Sequence, residues 1–279
     1  LKTKLLLGEN TNVKLGFNMT DEEHGIFAMF RYYNVGDQAY QHNDAKSYTM
    51  EATHVFDKNF YAVLKGSYSI NERKQGNRKW MSDLRKYGDS AANNHSQANG
   101  TANGYRIFPV FNATFNPENG LATNNPYNLF HRNSNEKYQA SLDLNYRIDK
   151  HDLKAGFSFT TNTVRYFNIN PRQIAAAGFK NDFASYRDQA SIRYYGYDWN
   201  GSVSDNDDWS YYNDLDNLTG NETFGDGPKK PTSFGLYVND KFEFGDIILN
   251  LGLRYDSFNA NTWAFKDVTK TYADGKFQA

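Results

Sequence analysis

The chain has 279 residues, no cysteine, and 31 basic against 32 acidic side chains for a net charge of −1. This excludes disulfides, thiol chemistry and Cys-ligated metal sites, and it gives no polyanion-binding signal, so nucleic acid is not an expected partner. Mean hydropathy is −0.81 and no apolar run reaches the roughly 18 residues of a membrane-spanning helix, yet 16% of the residues are aromatic.

Those rings fall into a repeated pattern along the chain. In the opening hairpin Leu5 and Leu7 lead through Gly8 to Thr11 into Val13, Leu15, Phe17 and Met19, which alternate with Lys14, Gly16, Asn18 and Thr20. Next, Tyr48, Met50, Ala52, His54 and Phe56 alternate with Ser47, Thr49, Glu51, Thr53 and Val55. After Asp57, Lys58 and Asn59, a partner strand sets Phe60, Ala62, Leu64, Gly66, Tyr68 and Ile70 against Tyr61, Val63, Lys65, Ser67, Ser69 and Asn71. A third hairpin opposes Ala140, Leu142, Leu144, Tyr146 and Ile148 to Gln139, Ser141, Asp143, Asn145 and Arg147. It returns with Leu153, Ala155, Phe157 and Phe159 against Lys154, Gly156, Ser158 and Thr160. The fourth is the clearest. Phe234, Leu236, Val238, Phe242 and Phe244 turn at Gly245 and Asp246 into Ile247, Leu249, Leu251, Leu253 and Tyr255.

Strand side chains alternate with period two, so each run presents one apolar and one polar face. Runs of about 9 to 11 residues match a tilted strand crossing a bilayer, and apolar-out, polar-in alternation is the pattern of an outer-membrane barrel. The expected fold is all-β: an antiparallel transmembrane β-barrel segment of about eight strands, filling residues 1–279 as one partial barrel domain. Short connections close the hairpins, whereas long polar segments at about 21–46, 72–136 and 168–231 join them. Short turns belong on the periplasmic side and long loops outside. Phe56, Phe60, Tyr61, Phe242 and Phe244 beside the turns, and Tyr68, Tyr166, Tyr255 and Phe258 at the far ends, fit two interfacial girdles. An open eight-stranded sheet would leave two unpaired edges in lipid, and the chain begins at Leu1 without a leader and ends at Ala279 in polar sequence. It is therefore expected to close on itself or to be part of a larger barrel.

The stretch from Pro231 to Asp256 resembles the barrel hairpin of TonB-dependent outer-membrane receptors, through Tyr237, Asp240, Lys241, Glu243, Leu249, Asn250, Gly252, Arg254, Tyr255 and Asp256. Tyr48 to Arg73 and Tyr138 to Phe159 are similar to earlier hairpins of the large Bacteroidota-type receptors with a carboxypeptidase-regulatory-like N-terminal domain. The resemblance implies a 22-stranded barrel with an N-terminal plug, energised by an inner-membrane complex through a TonB box, of which this chain holds about two-fifths of the wall. It implies as partners outer-membrane lipid, the remainder of the barrel with its plug, the TonB complex and, in some receptors, a surface lipoprotein lid.

Other chemistry is sparse. His24, His42, His54, His95, His131 and His151 show no metal-ligand spacing, so no metal and no cofactor is expected. The acidic run Asp205, Asp207, Asp208, Asp214 and Asp216 has oxygen ligands suited to calcium but lacks the glycine and closing glutamate of an EF-hand. Asn-X-Ser/Thr matches at Asn112, Asn217 and Asn221 do not apply to a bacterial barrel. A hydrolase on the barrel's outer face needs a serine beside a histidine; His54 is read as the one strand histidine there and has no partner serine, so the chain is not expected to be an enzyme.

Two residue sets remain. Glu51, Lys65, Asp143, Arg147, Lys154, Lys241, Glu243, Arg254 and Asp256 fall on the polar face and are expected to face the lumen, as pairing ladders or as a substrate path. Tyr127, Tyr194, Tyr195, Tyr197, Trp199, Trp209, Tyr211 and Tyr212 crowd the long loops and are the expected ligand contacts, with packing of loop on loop as the competing role. The functional expectation is TonB-dependent import of a substrate such as an oligosaccharide, peptide or metal chelate across the bacterial outer membrane. The rival is a surface adhesion or structural barrel without active transport.

Overall fold

The computed structural model describes residues 1–27, 38–88, 101–102, 105–106, 129–170, 192–198, 201–207, 226–262, 272–273 and 276–277. Its main body is one nine-stranded antiparallel sheet. The strands are β1 (Lys2–Leu7), β2 (Thr11–Ile26), β3 (Ala39–Val55), β4 (Phe60–Asn77), β5 (Phe130–Ile148), β6 (His151–Ile169), β7 (Ile192–Tyr195), β8 (Thr232–Phe244) and β9 (Ile247–Asn259). Their spatial order is β1-β2-β3-β4-β5-β6-β8-β9, with β7 beside β6. Two-residue ladders also join Thr101–Ala102 to Tyr105–Arg106 and Tyr272–Ala273 to Lys276–Phe277.

All four expected hairpins form, in the register the alternation requires. Leu5 faces Val13, Ala62 faces Leu144, Leu142 faces Phe157, and Leu236 faces both Phe157 and Tyr255. A slip of one residue would carry a whole apolar set to the polar side, so the alternation alone fixes the pairing. The turns are tight for local reasons. The Asp57 carboxylate accepts from Asn59 N at 2.7 Å and Phe60 N at 3.0 Å, and Gly245 takes the left-handed conformation (φ 58°) that a two-residue hairpin needs.

Two aromatic rows cross the apolar face. At the loop end Phe17, Tyr48, Tyr68 and Tyr138 are consecutive cross-strand neighbours, with ring centroids 4.9, 6.1 and 4.8 Å apart. At the turn end Phe56, Phe60 and Tyr146 follow at 4.5 and 5.8 Å. From Phe60 to Tyr68 is about 26 Å along a strand and about 20 Å once tilted by ~40°, close to the apolar band of a transmembrane barrel. Between the rows Leu15, Met50, Leu64 and Leu236 remain exposed, as side chains awaiting hydrocarbon must.

Three expectations need correction. The ladders run past the boundaries assigned to the long loops: β2 continues to Ile26, β3 begins at Ala39, β4 ends at Asn77, β5 begins at Phe130 and β6 ends at Ile169. The segments 21–46, 72–136 and 168–231 thus shrink to connections at 27–38, 78–129 and 170–231, the last of which contains β7. Above the aromatic row both faces carry polar residues, so hydrogen-bonded ladder continues where hydrophobic alternation stops. Secondly, His54 is not alone on the apolar face. His151 shares it and holds Asp240 at 2.8 Å while stacking on Phe242 at 4.5 Å. His42, above the girdle, sits there too, against Glu23 at 2.8 Å. Thirdly, Asp240 itself interrupts the apolar set of β8, and the His151 contact is what accommodates its carboxylate near the turn end.

The buried core does not lie in the membrane-level wall. It lies at the loop end, on the same face as the apolar band, where Leu84, Tyr87, Phe130, Phe167, Ile169 and Tyr197 pack together. The segment after β4, including a 3-10 turn at Leu84–Gly88, and the segment after β7 fold back over β5 and β6 to make it. The Tyr87 hydroxyl accepts from Asn77 N at 2.8 Å and donates to Met81 O at 2.7 Å, pinning the first segment. Arg165 pins the second by donating to Gly196 O at 3.0 Å, Ser204 O at 3.1 Å and Asp205 at 2.7 Å.

Candidate functional site

The nine residues expected toward the lumen share the polar face, and most are paired. Lys14 meets Glu51 at 2.8 Å, Lys65 meets Asp143 at 3.5 Å, Arg147 meets Asp152 at 3.8 Å, Lys241 meets Glu243 at 2.7 Å and Arg254 meets Asp256 at 2.7 Å. Lys154 stands exposed between Asn145 and Asn239. The Tyr237 hydroxyl donates to Asp143 at 2.7 Å across an intervening strand. That reach depends on Gly156, the residue between them, because a β-carbon there would sit 2.7 Å from the Tyr237 ring and 2.5 Å from Leu142 O. Glycine in a strand interior marks such close approaches.

Small residues beside these ladders leave a concavity of about 530 Å³, floored by Gly16, Thr49, Ser67 and Ser141 and rimmed by Lys14 and Lys65. The polar face is therefore indented and charge-balanced at membrane level, with lysine and carboxylate alternating across strands.

Higher up, at the loop end, the polar face changes character. Arg73, Asn133, Tyr166 and Tyr195 form one cross-strand row, and Gln75, His131, Asn168 and Arg193 the next. Tyr166 and Tyr195 stack with centroids 5.7 Å apart and planes 19° from parallel, and His131 meets Tyr166 edge-on at 5.0 Å. Asn168 donates to the Tyr166 hydroxyl at 3.2 Å, the Lys229 ammonium lies 5.8 Å above the Tyr195 ring, and Arg73 bonds Gln41. Burial, then the Arg73 charge, lowers the pKa of His131, so the imidazole stays neutral at neutral pH. Burial raises the Tyr195 phenol, and burial also raises Asp226 against the opposing pull of Lys229. The patch is thus two stacked rings with amide and cationic neighbours, a surface suited to a ligand offering both hydroxyl or amide groups and flat apolar faces.

The loop aromatics expected to bind ligand do not form one group. The pleat sends Tyr195 to this patch and its neighbour Tyr194 to the opposite face against Phe167 at 6.3 Å. Tyr197 is buried in the core, 6.0 Å from Phe167 and beneath the Arg132 guanidinium at 4.9 Å. Tyr127, Trp199, Trp209, Tyr211 and Tyr212 lie outside the described residues. In the acidic run, Arg165 occupies Asp205 and holds its carboxyl below the usual range. Among the described residues no three His, Asp or Glu side chains gather as metal ligands. Tyr166 is expected in the outer girdle, but counting by twos from Gly156 places it, with Asn168, on the polar face; His131, Asn168 and Arg73 are not among the expected ligand contacts.

The profile described as "TonB dependent receptor-like, beta-barrel" matches residues 79–278. The chain belongs to the TonB-dependent receptor β-barrel family. Such a barrel lies in the bacterial outer membrane, with hairpin turns periplasmic and the Tyr166–Tyr195 patch at the extracellular end. Among solved structures it is similar to the outer membrane transporter YddB from Escherichia coli, at 10% identity and a TM-score of 0.44, over 92% of this chain and 26% of that one. It is also similar to BauA, the ferric preacinetobactin receptor from Acinetobacter baumannii, at 12% identity and a TM-score of 0.37, over 92% of this chain and 33% of that one. The chain thus spans a third or less of either of these two proteins, and no curated protein matches it. The family assignment rests on the profile.

Proposed function

We propose that this wall belongs to an outer-membrane active importer: a plugged barrel, energised through TonB, that takes up a substrate such as an oligosaccharide, peptide or metal chelate. Family membership together with the two-faced wall carries this reading. The polar face, with its balanced lysine and carboxylate ladders, lines the lumen and meets the plug. The extracellular patch of Tyr166, Tyr195, His131, Asn168 and Arg73 contributes to the vestibule where substrate is first held. An enzyme is not inferred, and a lipoprotein lid remains an optional partner of the extracellular end.

The test uses the full-length receptor in its own cell. Strains with and without it are compared for growth on defined oligosaccharides, on peptides and under iron limitation, each with TonB present or deleted. Growth on one of these that needs both receptor and TonB is the expected result, and Tyr166→Ala with Tyr195→Ala should weaken it while leaving the amount of barrel in the membrane unchanged. Loss of surface attachment with no TonB-dependent growth on any of them would replace import by adhesion.

A further inference from the structure

Most glycines in the membrane-level wall have a visible reason. Gly8 and Gly245 take positive φ in turns. A β-carbon at Gly156 would collide with Leu142 O at 2.5 Å, one at Gly235 would lie 2.8 Å from Asp256, and one at Gly252 would lie 3.1 Å from Asn239. Gly66 has none of these reasons. It sits mid-strand in β4 without positive φ, and a β-carbon there would meet nothing within 4 Å. Glycine inside a strand weakens it, so this residue carries a cost that neither turn nor packing explains.

What the missing side chain leaves is a groove on the lipid face. Gly66 and its neighbour Ala140 form a low floor, with Met50 beside them, Leu64 and Leu142 on the periplasmic side, and Tyr68 and Tyr138 on the extracellular side. The groove runs from Leu1 and Thr3 past Leu15 and Met50 to Gly66, directly beneath the ring row Phe17, Tyr48 and Tyr68, with a volume of about 600 Å³. Four strands at ~4.8 Å spacing make it about 14 Å long. The roof is braced, since the Tyr68 hydroxyl donates to Glu136 at 2.8 Å and holds its ring in place. A trough of this shape, within the apolar band and just inside the extracellular girdle, opens toward the hydrocarbon of the membrane. We propose that it is a lipid site, holding one acyl chain of an outer-leaflet lipid across the strands, with the headgroup emerging past the tyrosine row.

The test is native mass spectrometry of the full-length barrel released from dodecyl maltoside with dimyristoylphosphatidylglycerol at a fixed ratio. Gly66→Leu, which fills the trough, should cut the singly lipid-bound population about tenfold. Ala62→Leu, an enlargement smaller by one methyl on the same face away from the groove, should leave it unchanged. Gly66→Ala should give an intermediate loss and, because nothing obstructs the added methyl, melt higher than the parent in lipid-free detergent. It also carries the test if Gly66→Leu fails to assemble. Undiminished lipid retention in the Gly66 variants, or an equal loss in Ala62→Leu, overturns the site in favour of an unstructured lipid belt.

Discussion

The lower and upper halves of this sheet use one set of ladders to solve opposite problems. At membrane level the apolar face is left uncovered, with Leu236 46% and Leu249 47% exposed, because lipid supplies the missing contact. Above the girdle the same face of β6 reaches Phe167 and Ile169, both 0% exposed, because the chain's own loops cover it. The polar face changes as well, from lysine–carboxylate pairs below to amides and stacked rings above. The backbone pairing is indifferent to its surroundings, and what each half needs is written in the side chains.

The largest expected effect lies in the upper half. Phe167→Ala should remove about 3–5 kcal/mol of local stability from the cap. Hydrogen exchange should then rise at 80–87, 194–198 and 201–204 while the membrane-level ladders stay protected. Loss of protection throughout would mean the halves fold as one unit. In the lower half, Leu142→Arg should cost about 2–4 kcal/mol of barrel stability in vesicles, with Asn145→Arg costing far less. Equal damage from the two would destroy the distinction between faces.

Much of this contrast was legible from sequence, and the limit has a physical cause. Leu249, Leu251 and Leu253 against Asn250, Gly252 and Arg254 declare both strand and face, since lipid and lumen impose opposite chemistry on alternate positions. Asp21, Glu22, Glu23 and His24 alternate just as faithfully in β2, but with water on both sides no contrast betrays it. The same silence put Tyr166 in the girdle and left His131 unassigned, since their places follow from register and not from composition. Tyr194 and Tyr197 looked like Tyr195, and only the pleat and the fold-back of the loop separate packing from presentation.

A smaller effect tests the polar face. Tyr237→Phe should cost about 1 kcal/mol by removing the bond to Asp143, measured as a shift in the urea midpoint of vesicle-inserted barrel. Gly156→Ala should cost more than Tyr237→Phe because its β-carbon meets backbone as well as ring. The reverse ranking would show that the tyrosine does not lie across the glycine. The smallest effect is one of pH. His131 has a folded pKa below its ordinary 6.5, so its neutral form contributes stability that is fully present above pH 6.5 and lost as pH falls through the folded value. The protection factors of the Phe130–Arg132 amides, which are the intrinsic base-catalysed rate at each pH divided by the observed exchange rate, should therefore fall on going from pH 7.5 to 5, with those of the membrane-level ladders unaffected. Unchanged or higher protection there at pH 5 would contradict the buried, Arg73-flanked setting of the ring.

That the turns of the four long hairpins lie along one rim while the cap hangs from the other makes assembly vectorial. The backbone of the cap-bearing segments would lose hydration at several kcal/mol per unpaired group if dragged naked through hydrocarbon. Hairpins therefore cannot thread one by one through an intact bilayer. The cap has to cross first through a sheltered opening, and the turns at Asp57 and Gly245 are left on the side from which it came.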